Sequence, residues 1–131
     1  MLHSSMHYTL APEIKKTIVY LVQKLAMNYI SVDQIYCIRS TDSKTRAIAR
    51  IWGMPKLFNE VVGIKPSYII EVISERFDRQ SDEEQIKTLI HELMHIPKTF
   101  SGSLLSHRGR YHRINDTEVK KLLIKLKMSS R

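Results

Sequence analysis

The residues best suited to chemistry are two histidines and a glutamate in the string His91-Glu92-Leu93-Met94-His95, an H-E-x-x-H pattern. Four residues on a helix span one turn plus about 40°, so His91 and His95 project from one face and can bind one metal ion. Glu92 lies about 100° away from His91, where it can act on a metal-bound water without ligating the metal itself. The pattern therefore predicts a metal centre with hydrolytic chemistry.

A predicted amphipathic helix over residues 81–96 must position these side chains. Ser81 is a suitable N-cap, and Glu84 three residues later completes a capping box. Pro97 ends the helix, because its ring cannot continue the hydrogen-bond ladder. Between these limits runs an apolar stripe at helical spacing, formed by Ile86, Leu89, Ile90, Leu93 and Met94. The alternative is a buried helix with two incidental histidines, each of which then needs a hydrogen-bond partner.

A catalytic zinc ion usually has three protein ligands, so the third must lie outside this helix. His107, twelve residues after His95, is the first choice, since its glycine-containing loop can curl back over the helix. His112 is the alternative third ligand, and a carboxylate such as Asp116 or Glu118 is the remaining possibility. Zn²⁺ is the metal that a set of three histidines and a water predicts.

With zinc held by three histidines, Glu92 is expected to accept the proton of the zinc-activated water and pass it to the leaving amine. The tetrahedral oxyanion needs a further donor, for which Arg108, Tyr111 and His112 are candidates. An extended protein or peptide substrate can pair with an exposed sheet edge beside the metal helix. The strand predicted over residues 67–73 is the candidate edge.

Composition predicts one globular domain over residues 1–131, with residues 1–10 as a loose N-terminal segment. The single cysteine, Cys37, excludes an intrachain disulfide and suits a reducing compartment. No apolar run reaches the 18 or so residues of a membrane span, and residues 1–10 lack the pattern of a signal peptide. A cytoplasmic protein is therefore expected, and the oligomeric state is left open.

Positive charge is concentrated after the predicted metal helix. Residues 98–131 carry nine basic and two acidic residues, which supplies +7 of the formal net charge of +8. This segment is either a solvated helix face or a surface that meets nucleic acid. The alternative function is therefore a nucleic-acid-associated protein with a structural or vestigial zinc site, which also includes a DNA-directed protease.

The remaining pattern predicts an α+β fold. A helix is expected over residues 12–28, and strands over residues 34–39 and 46–52 are expected to form a hairpin. A third strand over residues 67–73 is expected to carry Glu71 on its solvent face or to be an edge strand, and Asn115 caps a last helix. We therefore expect a small, mainly antiparallel sheet packed on an N-terminal helix, the metal helix and a C-terminal helix.

Four segments carry a resemblance to a known family. They are RAIARIWGMPKLFN, PSYIIEVISERFD, SDEEQIKTLIHELMHIPKTFSG and SHRGRYHRINDTEVKKL, and together they resemble small zincin-like metallopeptidases of archaea and phages. The resemblance implies a minimal zincin-like fold and a third histidine ligand beyond the metal helix, a position that His107 matches. The chain is also distantly similar to SprT-like proteases, which act on proteins crosslinked to DNA. It lacks the metzincin pattern, since Lys98 and Ser101 stand where that pattern needs glycine and histidine.

Overall fold

Strands and helices follow one another in the order of an α+β protein with a four-stranded, mostly antiparallel sheet. The computed structural model describes residues 7–107 and 113–129. In chain order the elements are β1 (His7–Leu10), α1 (Pro12–Lys24), a 3-10 turn (Val32–Gln34), β2 (Ile35–Thr41), β3 (Ala49–Gly53), α2 (Lys56–Val62), β4 (Tyr68–Ile73), α3 (Ser74–Phe77), α4 (Asp82–Leu93) and α5 (Asp116–Ser129).

The strand order across the sheet is β1-β2-β4-β3. β2 runs parallel to β4, whereas β1 and β3 are antiparallel to their neighbours. The predicted hairpin between the second and third strands is therefore wrong, because β4 inserts between them. The prediction that residues 67–73 form an edge is wrong for the same reason, and β1 and β3 are the edges. Every residue of β4 except Ile69 is buried, as expected for a central strand.

The N-terminal part of the described chain is ordered by pairing with β2. His7 lies opposite Thr41 and Leu10 opposite Ile38, so the loose segment predicted over residues 1–10 is wrong for residues 7–10. Residues 1–6 lie outside the described part. The following helix begins at Pro12, which suits the first turn of a helix. It ends at Lys24 rather than at residue 28, because Ala26 adopts a left-handed φ of 53° that a helix cannot continue.

The hydrophobic core lies between one face of the sheet and the helices. Tyr68, Ile70 and Val72 of β4 point into it, and α1 contributes Ile18 and Leu21. The helices α4 and α5 add Leu89, Ile90 and Leu93, and Val119, Leu123 and Leu126. Each such side chain contributes roughly 1.5–3 kcal/mol when it leaves water. This packing fixes the position and rotation of α4 relative to the sheet.

Glu71 of β4 is fully buried, so its predicted placement on a solvent face is wrong. It does point away from the core, but side chains of β3 close over it. Arg50 donates to its carboxylate from Nε at 2.7 Å, and Trp52 donates from Nε1 at 2.9 Å. The alternation of residues gives the direction of Glu71 correctly but does not reveal what covers it.

Within residues 7–107 and 113–129, we find no helix with both the length and the apolar character that a membrane span requires.

Candidate metal centre

Helix α4 begins at the N-cap that the sequence predicts. The hydroxyl of Ser81 accepts a hydrogen bond from the backbone N–H of Glu84 at 3.2 Å, which satisfies one of the free donors of the first turn. The helix then presents Leu89, Ile90 and Leu93 to the core. His91 and Glu92 lie in its last turn, with Glu92 buried and His91 half-buried.

His95 lies just beyond the regular part of α4, which ends at Leu93. Its backbone N–H donates to the carbonyl of Glu92 at 3.1 Å, a tighter bond pattern than that of an α-helix. Pro97 follows and prevents any continuation of the helix. The imidazole rings of His91 and His95 nevertheless lie 5.3 Å apart between centroids.

His107 approaches both of these histidines from the loop after α4. Its Nε2 lies 3.1 Å from Nε2 of His91, and its ring centroid lies 4.6 Å from that of His95. One ring nitrogen of each histidine lies within 4.8 Å of those of the other two. The structure therefore brings together the three histidines that the sequence singled out as ligands.

The loop that carries His107 is held by Tyr68 of β4. The buried Tyr68 hydroxyl accepts a hydrogen bond from the N–H of Gly102 and donates one to the carbonyl of Ser103, both at 2.8 Å. Phe100 packs edge-on against the same ring at 5.0 Å. Gly53 permits this approach, because a Cβ there would lie 2.2 Å from the Gly102 carbonyl oxygen. The sequence alone gave no sign of this role for Tyr68.

Two hydrogen bonds join the same loop to His95. The N–H of Leu105 donates to the backbone carbonyl of His95 at 2.8 Å, and the Leu105 carbonyl lies 2.6 Å from Nδ1 of the His95 ring. A carbonyl only accepts, so Nδ1 carries the proton and Nε2 keeps its lone pair. Such an arrangement orients a histidine for metal binding through Nε2.

The donor set fits a zinc ion. Zinc–nitrogen bonds measure about 2.0–2.1 Å, so two nitrogens on one tetrahedral ion lie about 3.4 Å apart. The observed separations of up to 4.8 Å need side-chain shifts of only about an ångström to reach that spacing. Three imidazoles also leave one position of a tetrahedral ion for water or substrate.

The protonation states favour metal binding. Burial, together with the neighbouring His95 and His107, lowers the pKa of His91 to about 4, so its imidazole is neutral at pH 7. Glu92 differs, because burial raises the pKa of its carboxyl group to about 8. Within the described ranges, no hydrogen bond or ion pair reaches the Glu92 carboxylate. A buried acid of this kind in a cleft is typical of functional sites.

A cleft of about 540 Å³ opens beside His91. It is lined by residues of α4, of α5 and of the segment that leads into the edge strand β3. The residues that line it include Arg46, Ala49, Lys87, His91, Glu92 and Asp116. Lys87 was not singled out from the sequence, although its spacing of four residues before His91 puts it on the same helix face.

The other predicted site residues fall into two groups. Arg108, Tyr111 and His112 lie outside the described residues. Asp116 and Glu118 belong to α5, where Asp116 pairs with Lys120 at 2.9 Å and Glu118 pairs with Lys121 at 3.2 Å. Among the described histidines, cysteines and carboxylates, only the three histidines form a cluster suited to a metal ion.

The basic C-terminal segment is partly neutralised by ion pairs. Asn115 caps α5 as predicted, by accepting the N–H of Glu118 at 2.9 Å. Lys120 and Lys121 pair within the helix, and Lys127 pairs with Glu83 of α4 at 2.8 Å. These pairs reduce the charge that α5 offers to a polyanion.

Comparison with protein families gives a match over most of the chain. A family model described as "Putative phage metallopeptidase" matches residues 6–124. The matched range includes β1 to α4, the loop that carries His107, and most of α5. No curated protein and no solved structure matches the chain.

Proposed function

The chain belongs to the phage metallopeptidase family, and on that premise we propose that it is a zinc metallopeptidase. It hydrolyses peptide bonds in a protein or peptide substrate. His91, His95 and His107 hold the metal, and Glu92 acts as the general base. The observation that carries this proposal is the cluster of three imidazoles, one of which, His91, lines a cleft together with the buried Glu92.

The roles of the residues follow from their positions. When bound, a zinc ion supplies Lewis acidity, which polarises a carbonyl group and makes water acidic near neutral pH. His95, oriented by the carbonyl of Leu105, would donate Nε2 to it, and His91 would do so as a neutral imidazole. Glu92 points about 100° away from His91 and so does not compete as a ligand. A cation held by the histidines would lower the pKa of Glu92 from about 8, and the carboxylate form then accepts a proton from the attacking water and delivers it to the leaving amine.

The substrate is proposed to bind along β3 rather than along β4. β3 is an edge strand, and its first residue, Ala49, lines the cleft together with His91 and Glu92. An edge strand offers unpaired N–H and C=O groups, with which an extended peptide can form backbone hydrogen bonds. Arg46, which precedes β3 in the same cleft wall, lies where it can contact the side chains of such a peptide.

The proposal is tested by a proteolysis assay on unfolded casein. We expect cleavage that stops when a chelator removes the metal and returns when one equivalent of zinc is added. A variant Glu92→Gln should be inactive under both conditions. Cleavage that persists in excess chelator, or in Glu92→Gln at the wild-type rate, would exclude this mechanism.

The net charge of +8 supports a second candidate, which is nucleic-acid association with a structural or vestigial zinc site. The ion pair of Lys127 with Glu83 offsets one positive charge of α5 beyond the two acidic residues already counted in the +7 of residues 98–131. This candidate requires DNA binding whose affinity falls steeply as the salt concentration rises. Absence of binding at low salt excludes it, and binding together with proteolysis identifies a DNA-directed protease.

We further propose a cytoplasmic location. Cys37 is buried, and burial raises the pKa of its thiol to about 11. Such a thiol is inert and suits a reducing compartment.

A further inference from the structure

The face of the sheet opposite the core carries an exposed apolar region. Alternate residues of each strand point to this side, and all four strands contribute large side chains to it. Leu10 is 79% exposed, and Trp52 is 48% exposed. We refer to this set as the outer patch, formed by Tyr8, Leu10, Tyr36, Trp52 and Ile69. Exposed apolar clusters of this kind mark interaction surfaces.

The centre of the outer patch is a row that crosses three strands. Tyr36 of β2 lies beside Ile69 of β4, and Ile69 lies beside Trp52 of β3. Phe58 and Ile64 extend the row and line a groove of about 390 Å³ with it. The row is therefore a continuous apolar surface with a depression into which side chains of another molecule can fit.

Helix α2 borders this groove and has no buried residue. Its apolar side chains Leu57, Phe58, Val61 and Val62 are all exposed. A short helix with exposed apolar residues gains little from its own chain, since such helices owe their stability to packing. Together, α2 and the outer patch offer of the order of 800 Å² per molecule, counting roughly 100 Å² for a half-exposed aromatic side chain, and a standard protein interface needs about this much.

Charge indicates which partner fits. Arg50 next to the row pairs with Glu71 at 2.7 Å, and Lys56 of α2 pairs with Glu60 at 3.6 Å. The charges on β3 and α2 that border the groove therefore cancel locally, and Lys65, between Ile64 and Ser67 in sequence, adds one positive charge, whereas the whole chain carries +8. Two molecules of the same high charge repel each other least at such a weakly charged face, and a strongly anionic partner would be drawn elsewhere.

We propose that the outer patch is the interface of a homodimer. The two sheets pack face to face, with a two-fold axis that runs along the strands between the two copies of Ile69. This axis places Tyr36 of each copy against Trp52 of the other, as an isologous interface requires. The helices α1, α4 and α5 and the histidine cluster lie on the opposite side of the sheet, so the dimer leaves the cleft open and does not depend on the proposed activity.

Sedimentation velocity on the full chain tests this proposal, with tryptophan emission as a second readout. Trp52 is the only tryptophan, so its spectrum reports directly on the patch. We expect a species of about twice 15.3 kDa at about 100 µM, and a red shift of emission when dilution separates the copies. Ile69→Glu should give a monomer with unchanged circular dichroism and red-shifted emission at every concentration.

Val19→Glu on α1 is the matched control, because Val19 is 38% exposed and Ile69 is 39% exposed. This variant should form the dimer as wild type does. Monomeric wild type at about 100 µM overturns the proposal, and so does a dimer that persists in Ile69→Glu. A dimer that both substitutions disrupt equally also overturns it, since the interface would then not be specific to the outer patch.

Discussion

Glu71 and Glu92 are both buried carboxylates, yet their surroundings shift their pKa values in opposite directions. Burial alone would raise the pKa of Glu71, but hydrogen bonds from Arg50 and Trp52 outweigh it and hold that pKa below its usual range. Glu92 has no such partner in the described parts of the chain, and burial raises its pKa to about 8. One carboxylate lies on the outer side of the sheet, and the other lines the cleft beside His91.

The difference separates a group that supports the fold from a group that is available for a reaction. A buried charge that is paired and hydrogen-bonded is compensated for its loss of water, and removing one member of the pair is destabilising because the other charge is left buried without a partner. Burying a carboxyl group without a partner costs free energy, and active sites are where proteins retain such groups. We therefore expect the same substitution, glutamate to glutamine, to have opposite consequences at the two positions.

The largest effect is expected for Glu92→Gln. Loss of a general base lowers a hydrolysis rate by about 10²–10⁴-fold. The free energy of unfolding should stay equal or rise, because burial raises the pKa of Glu92 to about 8, so the carboxyl group must take up a proton on folding at neutral pH, which an amide need not do. Rates on a peptide substrate, zinc content and urea unfolding of the same preparation check this. A variant that loses zinc, or that unfolds at a lower urea concentration than wild type, would contradict the separation between catalysis and support of the fold.

For Glu71→Gln we expect lower stability and unchanged hydrolysis. The substitution keeps the shape of the side chain but removes the charge that pairs with Arg50, so we expect a loss of about 2–3 kcal/mol in the free energy of unfolding. The lower end of the range for buried pairs applies, because the Arg50 side chain is 32% exposed and can turn to water. Urea unfolding measures the loss. Hydrolysis per folded molecule should be unchanged, and a large drop would show that Glu71 also serves the cleft.

Tyr68 extends the comparison between supporting and reactive groups, because it is a buried group that supports the site from a distance. Tyr68→Phe removes the hydroxyl that joins Gly102 and Ser103, and so loosens the loop that carries His107. We expect the zinc affinity to fall about tenfold, which is typical when a supporting hydrogen bond is lost. Competition with a chromophoric chelator measures it. Tyr20→Phe on α1 is the control, at a tyrosine distant in sequence from this loop. An equal loss of zinc affinity in that variant would contradict a specific role of Tyr68.

The smallest expected effect is the pH dependence of the unfolding free energy. The folded pKa of Glu71 lies below its ordinary value of 4.5, so its stabilisation is complete above about pH 4.5 and is lost as the pH falls further. The difference in unfolding free energy between wild type and Glu71→Gln should therefore be constant from about pH 6 to 8. It should shrink from about pH 5 to 3. A difference that grows on acidification would reverse the sign of the pKa shift.

The sequence predicted local features well and long-range ones poorly. The caps at Ser81 and Asn115 are confirmed, because each depends on residues within one turn of helix. The pairing of strands was wrong, because a strand does not encode whether its neighbour in sequence or a later strand lies beside it. The burial of Glu71 was missed for a similar reason, since its cover comes from Arg50 and Trp52 on another strand.

The candidate site depends on both local and long-range features of the sequence. The spacing of His91 and His95 predicted a shared face, and they lie together although α4 ends before His95. The approach of His107 depends on contacts of its loop with Tyr68 and Gly53, which no local pattern contains. The ligand roles of the three histidines stay a prediction.

Metal content per chain tests the central claim most directly. It is measured by elemental analysis on wild type, His107→Ala, His112→Ala and His7→Ala, where His7 is an exposed histidine of β1 and serves as the control. We predict about one zinc per chain in wild type and in the His112 and His7 variants, and its loss in His107→Ala only. Wild-type protein that takes up no zinc at neutral pH, or zinc that is fully retained in His107→Ala, would contradict the three-histidine site.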